Sequence, residues 1–283
     1  MSRPIRIELP GALYHVTSRG NALQTIFTDD EDRVFFLDTL DKIARRFHWT
    51  CHAYCLMKNH YHLVLETANA NLSAGMRELN GLYTQRFNRH HAVSGQVMQG
   101  RFKAILFERE SYLLPLCRYV VLNPLRVGKS RNVEKYRWSS YRATAGLDEA
   151  AACLSTEWVL SQFGKQKKRT LERYQAFVAA GIGQPAPWDQ VAHQILLGSA
   201  AFVEKMRPLM DPANKRKAAK SKVQGGTRRP TLARLFAKVK DKSQRNAAIR
   251  IANREHLYSL SEIGSFVGLH FSTISKIANS TDE

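Results

Sequence analysis

The sequence has no run of about 18 or more apolar residues that could span a bilayer, and its start, MSRPIRIELPGALYHV, lacks the apolar core of a signal peptide. Cysteine is scarce. The four thiols, Cys51, Cys55, Cys117 and Cys153, contain no CxxC pair, which argues against a secreted disulfide framework and fits small core residues of a reduced cytoplasmic protein. No internal repeat is present. Acidic residues are few: 24 Asp and Glu face 43 Lys and Arg, for a formal charge of +19. Such an excess predicts an anionic partner, and with no membrane segment that partner is expected to be nucleic acid. At 283 residues, 44% hydrophobic and 24% charged, the chain is not wholly disordered and can build one large or two modest cores.

The charge is unevenly spread. Residues 1–150 carry 21 basic and 14 acidic groups, and residues 151–283 carry 22 and 10. Most of the second excess lies in 215–254, where 14 basic residues meet one acid, Asp241. DPANKRKAAKSKVQGGTRRP has charge, Pro and Gly but no apolar period, and reads as a basic flexible linker. The expected division is a first domain over 1–148, a helical accessory region over 149–210, a linker over 211–230 and a basic terminal domain over 231–283.

Local patterns predict the elements. Leu13–Arg19 reads as a strand ended by Gly20-Asn21. Thr28-Asp-Asp-Glu31 reads as a capping box, after which Val34, Leu37, Leu40, Ala44 and Phe47 recur at helical spacing. Trp49–Leu56 and Tyr61–Thr67 read as strands joined around Met57-Lys58-Asn59. A second helix carries Leu72, Met76, Leu79, Tyr83 and Phe87. Val97–Phe107 reads as a fourth strand, and Glu110–Leu122 as a helix stopped by Pro124. The β-α-β-β-α-β-α order predicts an α+β fold: a ferredoxin-like antiparallel sheet with helices on one face. An all-α region is expected beyond Trp138, with helical segments at Thr170–Ala180, Trp188–Leu197 and Phe202–Leu209. At the end, Ser259 caps a helix bearing Ile263, Phe266 and Val267. Gly268 then supplies a turn, and Ser272 caps a second helix with Ile274 and Ile277 inside. This is a helix-turn-helix pattern that leaves Ser272, Thr273, Ser275 and Lys276 for duplex DNA.

The informative segment is Met57-Lys-Asn-His-Tyr-His-Leu-Val-Leu-Glu66. Residues two apart on a strand share a face, so His60 and His62 present two imidazoles to one side, suited to one divalent cation, while Tyr61 points away. An isolated HxH also describes two polar residues on a half-exposed strand. In Arg118-Tyr119-Val-Val-Leu-Asn123-Pro124, Tyr119 and Asn123 are four apart on a helix and share a face. A phenol beside an amide oxygen would set a nucleophile next to a metal ligand if that helix packs on the histidine strand. Tyr112, two turns earlier, reads as packing.

Three separated segments in order, YHVTSRGN, the HYH that follows an apolar-Lys-Asn turn, and QGRFKAILFERESYLLPLCRYVVLNPLRVG, resemble the HUH-motif single-tyrosine transposases. Within them the chain is similar to the REP-associated tyrosine transposases, relatives of small insertion-sequence transposases that act on single-stranded DNA. The resemblance covers about residues 8–145; PAPWDQVAHQILLGSAAFVEKM and the terminal helices resemble extended members of the group. It implies that His60 and His62 hold Mg²⁺ or Mn²⁺ against a scissile phosphate, with Asn123 as third ligand by position. Tyr119 would attack phosphorus to leave a 5′-phosphotyrosyl link and a free 3′-OH that permits rejoining. Tyr61 sits where the family usually has a bulky apolar residue. Substrates would be hairpins of palindromic repeats, bound by a monomer or by a homodimer that exchanges the tyrosine helix. Arg19, Arg101, Lys103, Arg118 and Arg126 lie in or beside the matched segments and are candidates for phosphate contacts. The terminal helices resemble the DNA-binding domain of the bacterial replication initiator.

Three other readings compete. An RRM-like sheet could bind single-stranded RNA without metal or nucleophile, although its aromatic-glycine signature is poor here. A transcription regulator could use the helix-turn-helix alone. A zinc site of Cys51, Cys55, His60 and His62 suits no common finger spacing.

Overall fold

The structure is a computed structural model that describes residues 6–210, 230–237, 239, 241–254, 256, 258, 260–270, 273–274 and 277–278. The chain divides into two compact units, Met1–Asp211 and Pro212–Glu283. In the first, the order is β1 (Ala12–Arg19), α1 (Asp30–Phe47), β2 (Trp49–Met57), β3 (His60–Thr67), α2 (Leu72–His90), β4 (Lys103–Phe107) and α3 (Arg109–Arg126). Short helices α4 (Tyr141–Thr144) and α5 (Glu157–Ser161) precede α6 (Lys167–Ala179), the strand β5 (Leu196–Leu197) and α7 (Ala200–Met206). The sheet runs β2-β3-β1-β4-β5. Its first four strands pair antiparallel, in the order of a ferredoxin-like sheet, and β5 adds parallel to β4.

The helices do not share one face. Phe36, Leu40 and Ile43 of α1 and Met76, Leu79 and Tyr83 of α2 form a core with Tyr14, Val16, Tyr61 and Leu63. On the opposite face, Leu113, Leu116, Val120 and Val121 of α3 pack on Leu13, Val64 and Ala53. The physical reason is that β1, β2 and β3 are buried on both sides, so each face needs a cover. An RRM would leave one sheet face open for bases; here helices cover both.

Several local expectations are corrected. The α1 cap is Asp29, one residue later than Thr28: its carboxylate accepts from the Asp32 N–H, and Asp32 in turn accepts from the Thr28 N–H, both at 2.8 Å. Val34 is exposed, and Phe36 and Ile43 take the buried face instead. The fourth strand begins only at Lys103, because Gly100 turns the chain at φ +61° and Met98 makes just an isolated bridge to Gly20. The third helix runs through Pro115 and Pro124 to Arg126. Pro124 removes one bond in the final turn, and the buried run Val120–Pro124 holds that turn in place. Residues 188–197 are not a helix but a short 3₁₀ turn at Pro187–Gln190 followed by β5.

A bulge in β2 decides the fate of the cysteines. Register slips between Cys51 and Ala53, so Cys51 points into the α1/α2 core while Cys55 joins the α3 side. The four-ligand zinc set is thereby overturned, since its two thiols lie on opposite faces.

The second unit contains α8 (Leu232–Phe236), α9 (Lys242–Arg254) and α10 (Leu260–Val267) around Ile249, Ala252, Tyr258, Ile263 and Ile274. Gly268 ends α10 at φ +70°. Phe266 is largely exposed at its edge but meets Phe236 at a ring separation of 5.4 Å. Residues 273–274 and 277–278 are helical, with Thr273 exposed. Ser259, Ser272, Ser275 and Lys276, and the linker up to Arg229, lie outside the described residues. Among the described residues no helix is long and apolar enough to cross a membrane.

Candidate active site

Strand register assembles the site. Thr17 of β1 lies opposite His62 of β3 and Lys103 of β4, and Arg19 lies opposite His60, so these side chains share the face that α3 covers. Tyr61, between the histidines, is buried on the other face and donates its O–H to Asn80 at 2.6 Å. That phenol is removed from the site, and burial raises its pKa. Tyr112 donates its O–H to Gln190.

Helix α3 brings Tyr119 over the strand. Its ring is 6.2 Å from that of His62, and the His60 and His62 rings are 5.0 Å apart. A cavity of about 580 Å³ is lined by His60, His62, Tyr119 and Asn123 together with Arg19, Arg101 and Lys103. The predicted ligands, the phenol and three of the five candidate cations therefore share one depression. Arg118 and Arg126 do not line it. The Arg118 guanidinium lies 4.4 Å over the Phe177 ring and bonds the Phe177 carbonyl, which ties α3 to α6. Arg126 sits 5.1 Å over the Tyr119 ring itself and donates to the Gln184 carbonyl.

The donor set could hold a divalent cation. His60 Nδ1 is 2.8 Å from Asn59 Oδ1, a carbonyl oxygen that can only accept; His60 therefore donates from Nδ1 and keeps a lone pair on Nε2. Desolvation, helped by Arg19, lowers the His60 pKa, and burial together with His15 and His60 puts that of His62 well below its usual value. Both shifts favour the neutral ring, the form a ligand needs. The Asn123 side chain is buried and its Nδ2 has no hydrogen-bond partner, leaving this carboxamide uncommitted. Two imidazoles and one amide oxygen make an uncharged set that would leave a cation's full charge for phosphate.

Two residues of the site were not singled out from sequence. His15 is buried and its Nε2 lies 3.0 Å from His62 Nδ1. Its pKa falls to about 3 through burial. The signal was available: His15, Thr17 and Arg19 alternate onto the histidine face. Trp188 had no such signal. The 3₁₀ turn before β5 lays its indole on His15, at 4.8 Å and 26°, and against Tyr119, at 4.7 Å and 82°. These rings wall an adjoining cavity of about 930 Å³ that shares His62 and Tyr119.

Another set of donor side chains lies elsewhere. Asp29, Asp32, His90 and His91 could hold a metal ion, their ligand atoms all falling within 4.8 Å of one another. Both carboxylates already serve the α1 cap, and His90 and His91 bond them at 3.1 and 2.9 Å. A helix N-terminus also disfavours a cation. The set acts as a clasp between the start of α1 and the end of α2.

Residues 9–121 match the family described as "Transposase IS200 like". A solved structure described as "Structure of the REP associates tyrosine transposase bound to a REP hairpin" is similar at 16% identity and a TM-score of 0.45, over 55% of this chain and 92% of that one. No curated protein matches. The segment that matches the family holds both cavity histidines and Tyr119.

Proposed function

We propose that the protein is a metal-dependent transposase or endonuclease of single-stranded DNA, of the REP-associated type, that cuts and rejoins strands at palindromic repeat hairpins. The observation that carries this reading is the single cavity in which Tyr119 faces His60 and His62 beside Arg19, Arg101 and Lys103. His60, His62 and Asn123 would hold Mg²⁺ or Mn²⁺, which supplies Lewis-acid polarisation of the scissile phosphate. The three cations bind and orient the flanking backbone. The Tyr119 oxygen forms a bond to phosphorus as the bond to the 3′ oxygen breaks. The phenol proton is lost, a proton ends on the 3′ oxygen, and the 5′ end stays on the enzyme. Because the phosphodiester energy is retained, another 3′-OH can reverse the step and join a new strand without ATP.

The likeness in overall sequence pattern supports a hairpin substrate, and the protein bound to a REP hairpin has that ligand in its own structure. Thr273, with Ser272, Ser275 and Lys276, would read duplex DNA as a second module, and the protein would act in the cytoplasm at the nucleoid, as a monomer or a homodimer.

The test is a covalent-adduct assay with labelled single-stranded hairpins from repeats flanking the gene, in Mn²⁺ or EDTA, resolved on denaturing gels. A metal-dependent adduct that disappears in Tyr119→Phe is the expected result. An adduct that persists in Tyr119→Phe would overturn the nucleophile, and tight metal-independent binding with no adduct would overturn the enzyme reading.

A further inference from the structure

The 3.0 Å contact between His15 Nε2 and His62 Nδ1 admits two arrangements of one proton. If His15 donates, His62 accepts at Nδ1, its own proton must sit on Nε2, and the ring cannot bind a cation through that atom. If His62 donates from Nδ1, its Nε2 lone pair is free. His60 is already in the second state, because Asn59 Oδ1 can only accept. We infer that His15 is a positioning residue that accepts the Nδ1 proton of His62 and so holds that ring in its ligand-competent tautomer.

The surroundings fit this role. His15 is buried under the Trp188 indole, whose stacking at 26° fixes the plane of the His15 ring and hence the direction of its Nε2 lone pair. Ligating histidines commonly lean on a carboxylate or carbonyl. An imidazole acceptor orients the ligand without adding negative charge, so the cation keeps its pull on phosphate. The residue reaches the reaction only through His62, and the inference rests on the metal site of the proposed function.

Two readouts on the full chain test it, neither of them catalytic. Long-range ¹H–¹⁵N NMR of the metal-free protein reports which ring nitrogen of His62 carries the proton; Nδ1 is expected. Mn²⁺ titration followed by EPR should show affinity about 10–100-fold weaker in His15→Phe. His15→Gln, whose amide oxygen can accept, should recover most of it. A wild-type His62 protonated on Nε2, or a His15→Phe protein that binds Mn²⁺ as tightly as wild type, overturns the inference. If His15→Phe does not fold, the wild-type spectrum and His15→Gln still decide. Wild-type protein with no Mn²⁺ binding sensitive to His60→Ala overturns the metal reading as well; Mn²⁺ binding with the other tautomer overturns this inference alone.

Discussion

The indole of Trp188 meets the Tyr119 ring nearly at right angles, with centroids 4.7 Å apart. A residue of the 3₁₀ turn Pro187–Gln190 thus presses on the proposed nucleophile, in a contact typical of edge-to-face aromatic pairs. Trp188→Ala should slow adduct formation about tenfold or more, by the orientation argument for small misplacements of a reacting group. Hairpin affinity should change little, and Trp188→Phe should restore most of the rate. Equal single-turnover rates in wild type and Trp188→Ala would show that the contact does not orient Tyr119.

The tyrosine beside the histidines in sequence should behave as a core residue. Tyr61→Phe removes the hydrogen bond to Asn80 and should cost about 1 kcal/mol in urea unfolding. Adduct yield should match wild type. A Tyr61→Phe protein that folds and forms no adduct would contradict the placement of this ring.

Cations inside and outside the cavity should separate by salt dependence. Arg101→Ala should reduce the slope of log affinity against log salt by about 0.7 to 0.9, as expected for loss of one phosphate contact. Arg118→Ala should leave the slope unchanged and lower stability by about 1 kcal/mol, because its guanidinium lies on Phe177. Fluorescence anisotropy across a salt series distinguishes the two.

Two glycines of α2 should respond oppositely to alanine. A Cβ on Gly75 would stand 2.3 Å from the Trp49 ring, which is pinned by its N–H to Asn71. The clash outweighs the helix propensity gained, and Gly75→Ala should cost about 1–3 kcal/mol. Gly81 has nothing within 4 Å, so Gly81→Ala should gain up to about 1 kcal/mol. Thermal unfolding of the pair reads the sign directly.

Much of the site can be read from residue spacing because it depends on short periods. Alternation alone places His60 and His62 together with Tyr61 opposite, and a four-residue step pairs Tyr119 with Asn123. What escapes the sequence depends on events without a period. The β2 bulge at His52 reverses the faces of Cys51 and Cys55, and nothing in WTCHAYCLM announces it. Strands buried on both sides show too little alternation to reveal that α3 lies across the sheet from α1 and α2. Leu196-Leu197 is too short to carry a strand pattern, and it becomes a strand by docking on the edge of β4. Trp188 reaches Tyr119 only through that docking, so no local rule could have found it.

The pairing of β5 with β4 also sets an order of events during synthesis. Leu106 N–H bonds the Ile195 carbonyl, and Glu108 N–H bonds the Leu197 carbonyl while its carboxylate accepts from Ser199. A nascent chain ended before these residues holds both cavity histidines and Tyr119 but has no Trp188 wall locked in place. The pairing joins strands separated in sequence by α3 to α6, so it can form only after those helices have been synthesised. The wall that Trp188 lends to the cavity of His62 and Tyr119 is therefore in place only after residues 188–197 have been synthesised.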